Sequence, residues 1–315
     1  MKKVIFDCDN TMGINNRDID DGLALIYLLN RNDVDLLGIT CTYGNDSVKN
    51  VFLKTRELLD ETNHSEIPLV CGSGTFEMKN YVNLSFDKVV DECENDAAKF
   101  IVEQVNKNPK EISILATGSL QNIYDAYMID NNIVDNIKEI VIMGGVTEPL
   151  YFGNKMMNEL NFTVCNEGAY IVLKNFKNIS ILTGNNCMKS QFGTVELEKS
   201  KFKSVEKYGK NAFIIEKIEK WMGEFKDLYG YEAIVLWDVI AAIYLIEPEL
   251  FKKRLFLNKS NVKSLSEGRL IVNDLKEFEE SKKMCYNIIR DGNIINIPEI
   301  INGSNVNENL ILTIF

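Results

Sequence analysis

Five aspartates, Asp7, Asp9, Asp18, Asp20 and Asp21, fall within fifteen positions near the start of the chain. Carboxylates at this density repel one another unless protons or a cation neutralise them. A set of hard oxygen ligands suits magnesium or calcium rather than zinc. Cys8 lies between the first two aspartates, but strand alternation turns it away from them. Far downstream, Asp238 interrupts the apolar stretch Ile234 to Ala242. A charge there is costly unless paired or bound to metal, which makes Asp238 the distant candidate to complete the site.

These residues need elements to hold them. Val4-Ile5-Phe6 is a short apolar, partly β-branched run of the kind that forms a strand buried on both faces. Asp7 and Asp9 follow at its carboxyl end, where open α/β sheets bind ligands. Asp20 and Asp21 open a helical apolar run, Leu23 to Leu29, and acids in a first turn are favoured by the helix dipole. Strand and helix patterns then alternate: strands at Val34 to Thr42, Ile67 to Cys71, Ile112 to Ala116, Glu139 to Met143 and Ile179 to Thr183, with helices at Ser47 to Leu59, Asp96 to Val105, Ser119 to Met128 and Glu167 to Leu173. The alternation predicts a Rossmann-like α/β fold, an open and mostly parallel sheet with helices on both faces. Thr117-Gly118, Gly144-Gly145 and Gly184-Asn185-Asn186 all follow apolar strands, so backbone can approach a ligand closely along one sheet edge.

Between Pro149 and Cys165 the chain is too polar and irregular for a core element, and offers Asn154, Asn158, Glu159 and Asn161. Amides with a carboxylate suit a polyhydroxylated ligand such as a sugar. A long helix is expected from Asn211 to Tyr229, with Trp221 and Phe225 one turn apart as core or pocket wall. From about Leu255 a small β-rich extension is expected, with strands at Gly268 to Val272, Tyr286 to Ile289 and Leu310 to Ile314.

The 315 residues carry no linker-like or repetitive tract, and one domain spanning 1–315 is expected. A formal charge of −11 argues against non-specific binding to nucleic acid or anionic membranes. Seven widely spaced cysteines without a CxxC pair read as reduced thiols. Met1-Lys2-Lys3 runs directly into the first strand without a signal-peptide pattern, so a cytoplasmic location is the expectation.

In order along the chain, Asp7-x-Asp9, Asp20-Asp21 opening a helix, Gly44-Asn45, Ala116 to Asn122, Met143-Gly144-Gly145, Glu159-Leu160-Asn161 and Trp237-Asp238 together resemble the inosine–uridine-preferring nucleoside hydrolase superfamily. The resemblance runs from Val4 to about Pro248. It implies hydrolysis of the N-glycosidic bond of a free ribonucleoside, with a calcium ion held by Asp9, Asp21, Asp238 and the main-chain carbonyl of Thr117. It implies that Asp9 also takes a proton from water, that Asn45 orients groups near that water, that Asp20 and Asn161 hold the 2′- and 3′-hydroxyls, and that Glu159 and Asn154 hold the 5′-hydroxyl. Trp237 resembles the base-stacking indole of purine-preferring members, with Tyr81 its expected partner. A dimer or tetramer is implied as well.

The chain departs from the family in two places. The compact Asp-Pro-Gly turn is replaced by the longer Asn10 to Asp18 loop, and Trp237 stands where pyrimidine-tolerant members carry histidine. The sole histidine, His64, is expected at the surface. Two other readings compete. VIFDCDNT also matches the first motif of haloacid dehalogenase-like phosphatases, with Asp7 as nucleophile and magnesium as cofactor, although no later acidic pair follows a strand. A nucleoside- or ribose-binding protein without turnover is the non-enzymatic alternative.

Overall fold

The computed structural model describes residues 1–74, 95–206, 212–275 and 293–315. Fifteen strands occur among them: β1 Lys2–Cys8, β2 Val34–Cys41, β3 Leu69–Cys71, β4 Ile112–Ala116, β5 Glu139–Met143, β6 Leu150–Phe152, β7 Lys155–Met157, β8 Ile179–Leu182, β9 Gln191–Phe192, β10 Ile234–Val235, β11 Phe251–Lys252, β12 Leu255–Asn258, β13 Val272–Asp274, β14 Ile294–Asn296 and β15 Glu299–Ile300. Nine form one sheet in the order β13-β12-β14-β8-β5-β4-β1-β2-β3. Every neighbouring pair from β14 to β3 is parallel, while β12 runs antiparallel to both β13 and β14.

The sheet is buried on both sides, as its continuous apolar strands require. In β1, Val4, Phe6 and Cys8 join a core built with helices Asp20–Leu29, Trp237–Ile246 and Gly303–Ile314. Ile5 joins the opposite core, against helices Asp96–Lys107, Gln121–Ile129 and Asn166–Asn175. Alternation thus turns Cys8 into the first core.

The carboxyl-terminal region differs from expectation. Leu310 to Ile314 is the end of helix Gly303–Ile314, not a strand. Val306, Leu310, Ile311 and Ile314 recur at helical spacing and are buried, and the Asn302 side chain accepts the N–H of Ser304 at the amino end. The strand expected at Gly268 begins only at Val272, because Gly268 adopts φ +68° in a turn. Tyr286 to Ile289 falls outside the described residues. The β-rich part is therefore no separate layer: β12, β13 and β14 lengthen the main sheet at its far edge. The segment after Pro149 is also more ordered than expected, forming the hairpin β6–β7 with Phe152 fully buried. No helix among the described residues is long and apolar enough to cross a membrane.

Candidate active site

Two helix amino ends meet beyond the carboxyl ends of β1 and β4. Asp20 and Asp21 occupy the first turn of one helix and Asp238 the first turn of the other, so both positive dipole ends face the same carboxylates. Asp20 Oδ2 accepts the main-chain N–H of Asp238 at 3.0 Å. Carboxylate oxygens of Asp20, Asp21 and Asp238 lie within 4.8 Å of one another, all buried. Asp9 joins from the end of β1, and its carboxyl and that of Asp21 hydrogen-bond to each other. The Thr117 hydroxyl, beyond β4, donates to Asp21 Oδ1 at 2.6 Å.

Burial pushes the Asp9 carboxyl up to about 7 and that of Asp20 to about 6, despite the N–H groups each accepts. Burial, and next the neighbouring negative charges, hold Asp21 and Asp238 well above the usual carboxylate range. Among the described residues no Lys or Arg ion pair reaches any of these four groups. Four buried carboxyls without a basic partner are costly as anions. The all-oxygen donor set fits a hard divalent cation, and the Thr117 carbonyl could add a further neutral ligand. That carbonyl accepts Asn161 Nδ2 at 2.7 Å and keeps a second lone pair.

Glycines open room for this arrangement. A Cβ on Gly44 would collide with Asp9 Oδ2, and one on Gly118 would stand 3.0 Å from the Asp9 side chain. The Asn45 N–H can therefore reach Asp9 Oδ2 at 2.6 Å.

Asp7 sits one step below and does not line the cavity. Its Oδ1 accepts Thr40 Oγ1 at 2.6 Å and Asn122 Nδ2 at 2.7 Å, which ties β1 to β2 and to the helix after β4. A fully buried, doubly held carboxyl is poorly placed as the nucleophile of the phosphatase reading. Asp18 Oδ1 accepts the N–H groups of Ile19 at 2.7 Å and Asp20 at 3.4 Å, just ahead of the helix that carries Asp20 and Asp21.

A cavity of about 690 Å³ opens over the carboxylates. Asp20, Asn45, Thr117, Glu159, Asn161, Trp237 and Asp238 all line it. Asn154 does not: it occupies the exposed turn of the β6–β7 hairpin, and Asn158, four residues on, lines the cavity instead. Tyr81 lies outside the described residues. Asn161 Nδ2 also donates to the Met143 carbonyl at 3.0 Å, which leaves its Oδ1 end to meet a hydroxyl. Glu159 accepts the N–H groups of Gly145 and Phe162 at 3.0 and 3.1 Å, yet burial raises it to about 7.

One wall is aromatic. Trp237 crosses Phe152 edge to face at 6.0 Å between ring centres, Phe152 meets Phe225 at 5.0 Å, and Trp221 meets Phe225 at 5.7 Å. Trp221, Tyr229 and Trp237 line the cavity. Arg17, Asp18 and Tyr229 also line the cavity. Asp18 belongs to the acidic cluster seen in the sequence, whereas Arg17 and Tyr229 were not expected there; Arg17's signal is only polarity beside an acidic motif, and Tyr229 ends the long helix that carries Trp221.

The family model for inosine-uridine preferring nucleoside hydrolases matches residues 4–294, and the chain belongs to that family. Its members are N-glycosidases that hydrolyse nucleosides. A probable uridine nucleosidase 2 of Oryza sativa subsp. japonica is 29% identical over 272 residues, 79% of this chain and 75% of the relative. An inosine-uridine preferring nucleoside hydrolase of Leishmania major is 26% identical over 270 residues, 78% and 79% of the two chains. Among solved structures, a purine-preferring ribonucleoside hydrolase from Gardnerella vaginalis shares the fold with a TM-score of 0.77 at 18% identity, over 99% of this chain and 98% of that one. Family membership replaces the phosphatase reading.

Proposed function

We propose that this chain hydrolyses purine ribonucleosides in preference to pyrimidine ones, with a calcium ion held by Asp9, Asp21, Asp238 and the Thr117 carbonyl. The observation that carries the preference is Trp237, an indole lining the cavity beside Asp238 and fixed by Phe152. A flat aromatic surface there suits the larger π-face of a purine. Calcium in the carboxylate cluster supplies positive charge that lowers the pKa of water and draws the ribose hydroxyls into place.

The chain's own groups do the rest. Asp9, held by the Asn45 N–H, takes the proton of the attacking water. As the C1′–N bond breaks, oxocarbenium character grows on the ribose, and the carboxylates around it stabilise that charge. Asp20 and Asn161 Oδ1 accept from the 2′- and 3′-hydroxyls. Glu159 spends its oxygens on Gly145, Phe162 and Thr163, and so shapes the 5′ end as much as it binds there.

Release of ribose from inosine and uridine by purified protein with added calcium tests the reading, with Asp9→Ala as control. Faster turnover of inosine, lost in the variant, supports it. Equal or better turnover of uridine refutes the purine preference.

A further inference from the structure

The loop from Asn10 to Asp18 replaces a compact turn, and it does not fold away from the site. Asn16, Arg17 and Asp18 all line the cavity. The loop is fastened at two places. The Asn16 N–H donates to Glu224 Oε2 at 2.9 Å, on the helix that also carries Trp221 and Tyr229. Arg17 Nε faces Asp46 Oδ2 at 3.7 Å, and Asp46 Oδ1 accepts the Ser47 N–H at 2.7 Å and Asn50 Nδ2 at 2.9 Å. Arg17, its side chain 17% exposed, thus lies in a loop that reaches from the Gly44-Asn45-Asp46 turn to the helix bearing Trp221 and Tyr229.

Among the described residues that line the cavity, positive charge comes from Arg17 and Lys155, and the Lys155 ammonium donates to the Leu228 carbonyl. The ribose belongs with Asp20, Asn161 and Asp238 at the strand and helix ends, so the aromatic wall marks the side of the base. Arg17 lines the same cavity, and its loop reaches that side through Asn16.

We infer that Arg17 is a specificity-determining residue of the base subsite, whose guanidinium reads the O6 and N7 acceptors of a 6-oxopurine. The inference deepens the purine reading above and rests on it. A planar guanidinium fork matches two adjacent acceptors, as arginine does with the same edge of guanine in nucleic acids, whereas adenine offers N7 beside an amino donor. The contact also serves the reaction. When the C1′–N9 bond breaks, its electron pair stays on the base and the imidazole ring carries that charge toward N7, where a guanidinium N–H meets it. Arg17 keeps its protons throughout. Water supplies hydroxide to C1′ and a proton to Asp9, and that proton finally neutralises the base. No histidine is among the residues lining the cavity, and Arg17 provides the positive partner for the leaving group.

Steady-state kcat/KM toward inosine, adenosine, 7-deazainosine and 4-nitrophenyl riboside tests this, in the natural protein and in Arg17→Gln. The natural protein should favour inosine over adenosine and 7-deazainosine by roughly 10- to 100-fold, the range of one good bidentate pair. Arg17→Gln should lose a similar factor toward inosine and bring the inosine-to-adenosine ratio to about 1–3, while the nitrophenyl riboside, whose leaving group needs no such contact, changes by less than about threefold. Arg17→Lys should keep part of the rate and little of the discrimination. An equal loss toward all four substrates, which a merely structural loop would produce, overturns the inference. So does an unchanged inosine-to-adenosine ratio, or natural protein that turns over 7-deazainosine as fast as inosine. Failure of the purine preference itself reads out separately, as uridine matching inosine in the natural protein.

Discussion

Asp20 Oδ2 accepts the main-chain N–H of Asp238 across 218 positions of sequence, so a carboxylate in the first turn of one helix satisfies the amino end of another. Each helix start leaves N–H groups without intrahelical partners. Here the same oxygen that closes one helix belongs to the cluster that the other helix presents. The site is therefore held together in part by the groups that perform its chemistry, and changes to those groups act on stability as well as activity.

Asp21→Asn should show this directly. It removes one buried carboxyl from the cation-free cluster while Thr117 keeps a hydrogen-bonding partner. We expect kcat/KM to fall by on the order of 1,000-fold or more, and the chelated protein to become more stable by about 1–2 kcal/mol, because a strained like-charge contact is relieved. Denaturant unfolding in excess chelator measures the second effect. A destabilised variant would mean that the carboxyl supports the fold in the cation-free state.

Chelation should be felt more strongly at high pH. With no cation bound, Asp9 sits near 7 and Asp20 near 6, well above the usual range of an aspartate. A raised carboxyl means that the folded state holds protons the unfolded chain has released, so stability of the cation-free protein is fullest below about pH 4 and is lost as pH rises toward 7. A cation displaces those protons, so its affinity grows over the same interval. The drop in Tm on adding chelator should therefore be larger at pH 8 than at pH 5.5, by on the order of several degrees. Equal drops at the two pH values contradict the assignment of these carboxyls to a cation.

Gly44→Ala places a methyl group against Asp9 Oδ2. The turn cannot give way without moving the Asn45 N–H off the same oxygen, so kcat should fall by roughly 10- to 100-fold, with a stability cost of about 1–3 kcal/mol. Comparing kcat and KM with inosine checks it: a change confined to KM would mean that Gly44 shapes binding and leaves the base catalyst undisturbed.

Trp237→Phe keeps an aromatic face but shortens it, and removes the indole N–H that donates to the Gly184 carbonyl at 3.4 Å. The ratio of kcat/KM for inosine to that for uridine should drop by about 5- to 20-fold, since stacking and edge contacts are each worth about 1–2 kcal/mol. A ratio that stays constant while both rates fall would move the base-stacking surface to Trp221 or Tyr229.

The central sheet is legible in the sequence because strands covered on both faces must be nearly continuous apolar runs, and Ile114 to Ala116 and Ile140 to Met143 are such runs. The same rule misleads at Leu310 to Ile314, where a short apolar run does not distinguish strand from helix and the deciding signal, the Asn302 cap, lies eight residues upstream. Asp9, Asp20, Asp21 and Asp238 stand out as charges placed where apolar neighbours make them expensive. Asn154 and Asn158 are indistinguishable by type, and only the two-residue turn of the β6–β7 hairpin decides which one faces out. The Arg17–Asp46 pair spans two loops and leaves no periodic trace.

The inserted loop is tied to helix Ala212–Tyr229 and to the turn before helix Val48–Glu61, and the Lys220 ammonium adds a further tie to the Asn15 side chain. The carboxylates thus sit on a floor built from strand and helix ends, while part of the cavity's rim is built from an inserted loop. Exposed segments tolerate replacement far better than sheet ends do. Exchanging residues 13–17, between the buried Asn10–Met12 segment and Asp18, together with their contacts on the rim offers a way to retarget the enzyme toward other bases while the carboxylate cluster stays as it is.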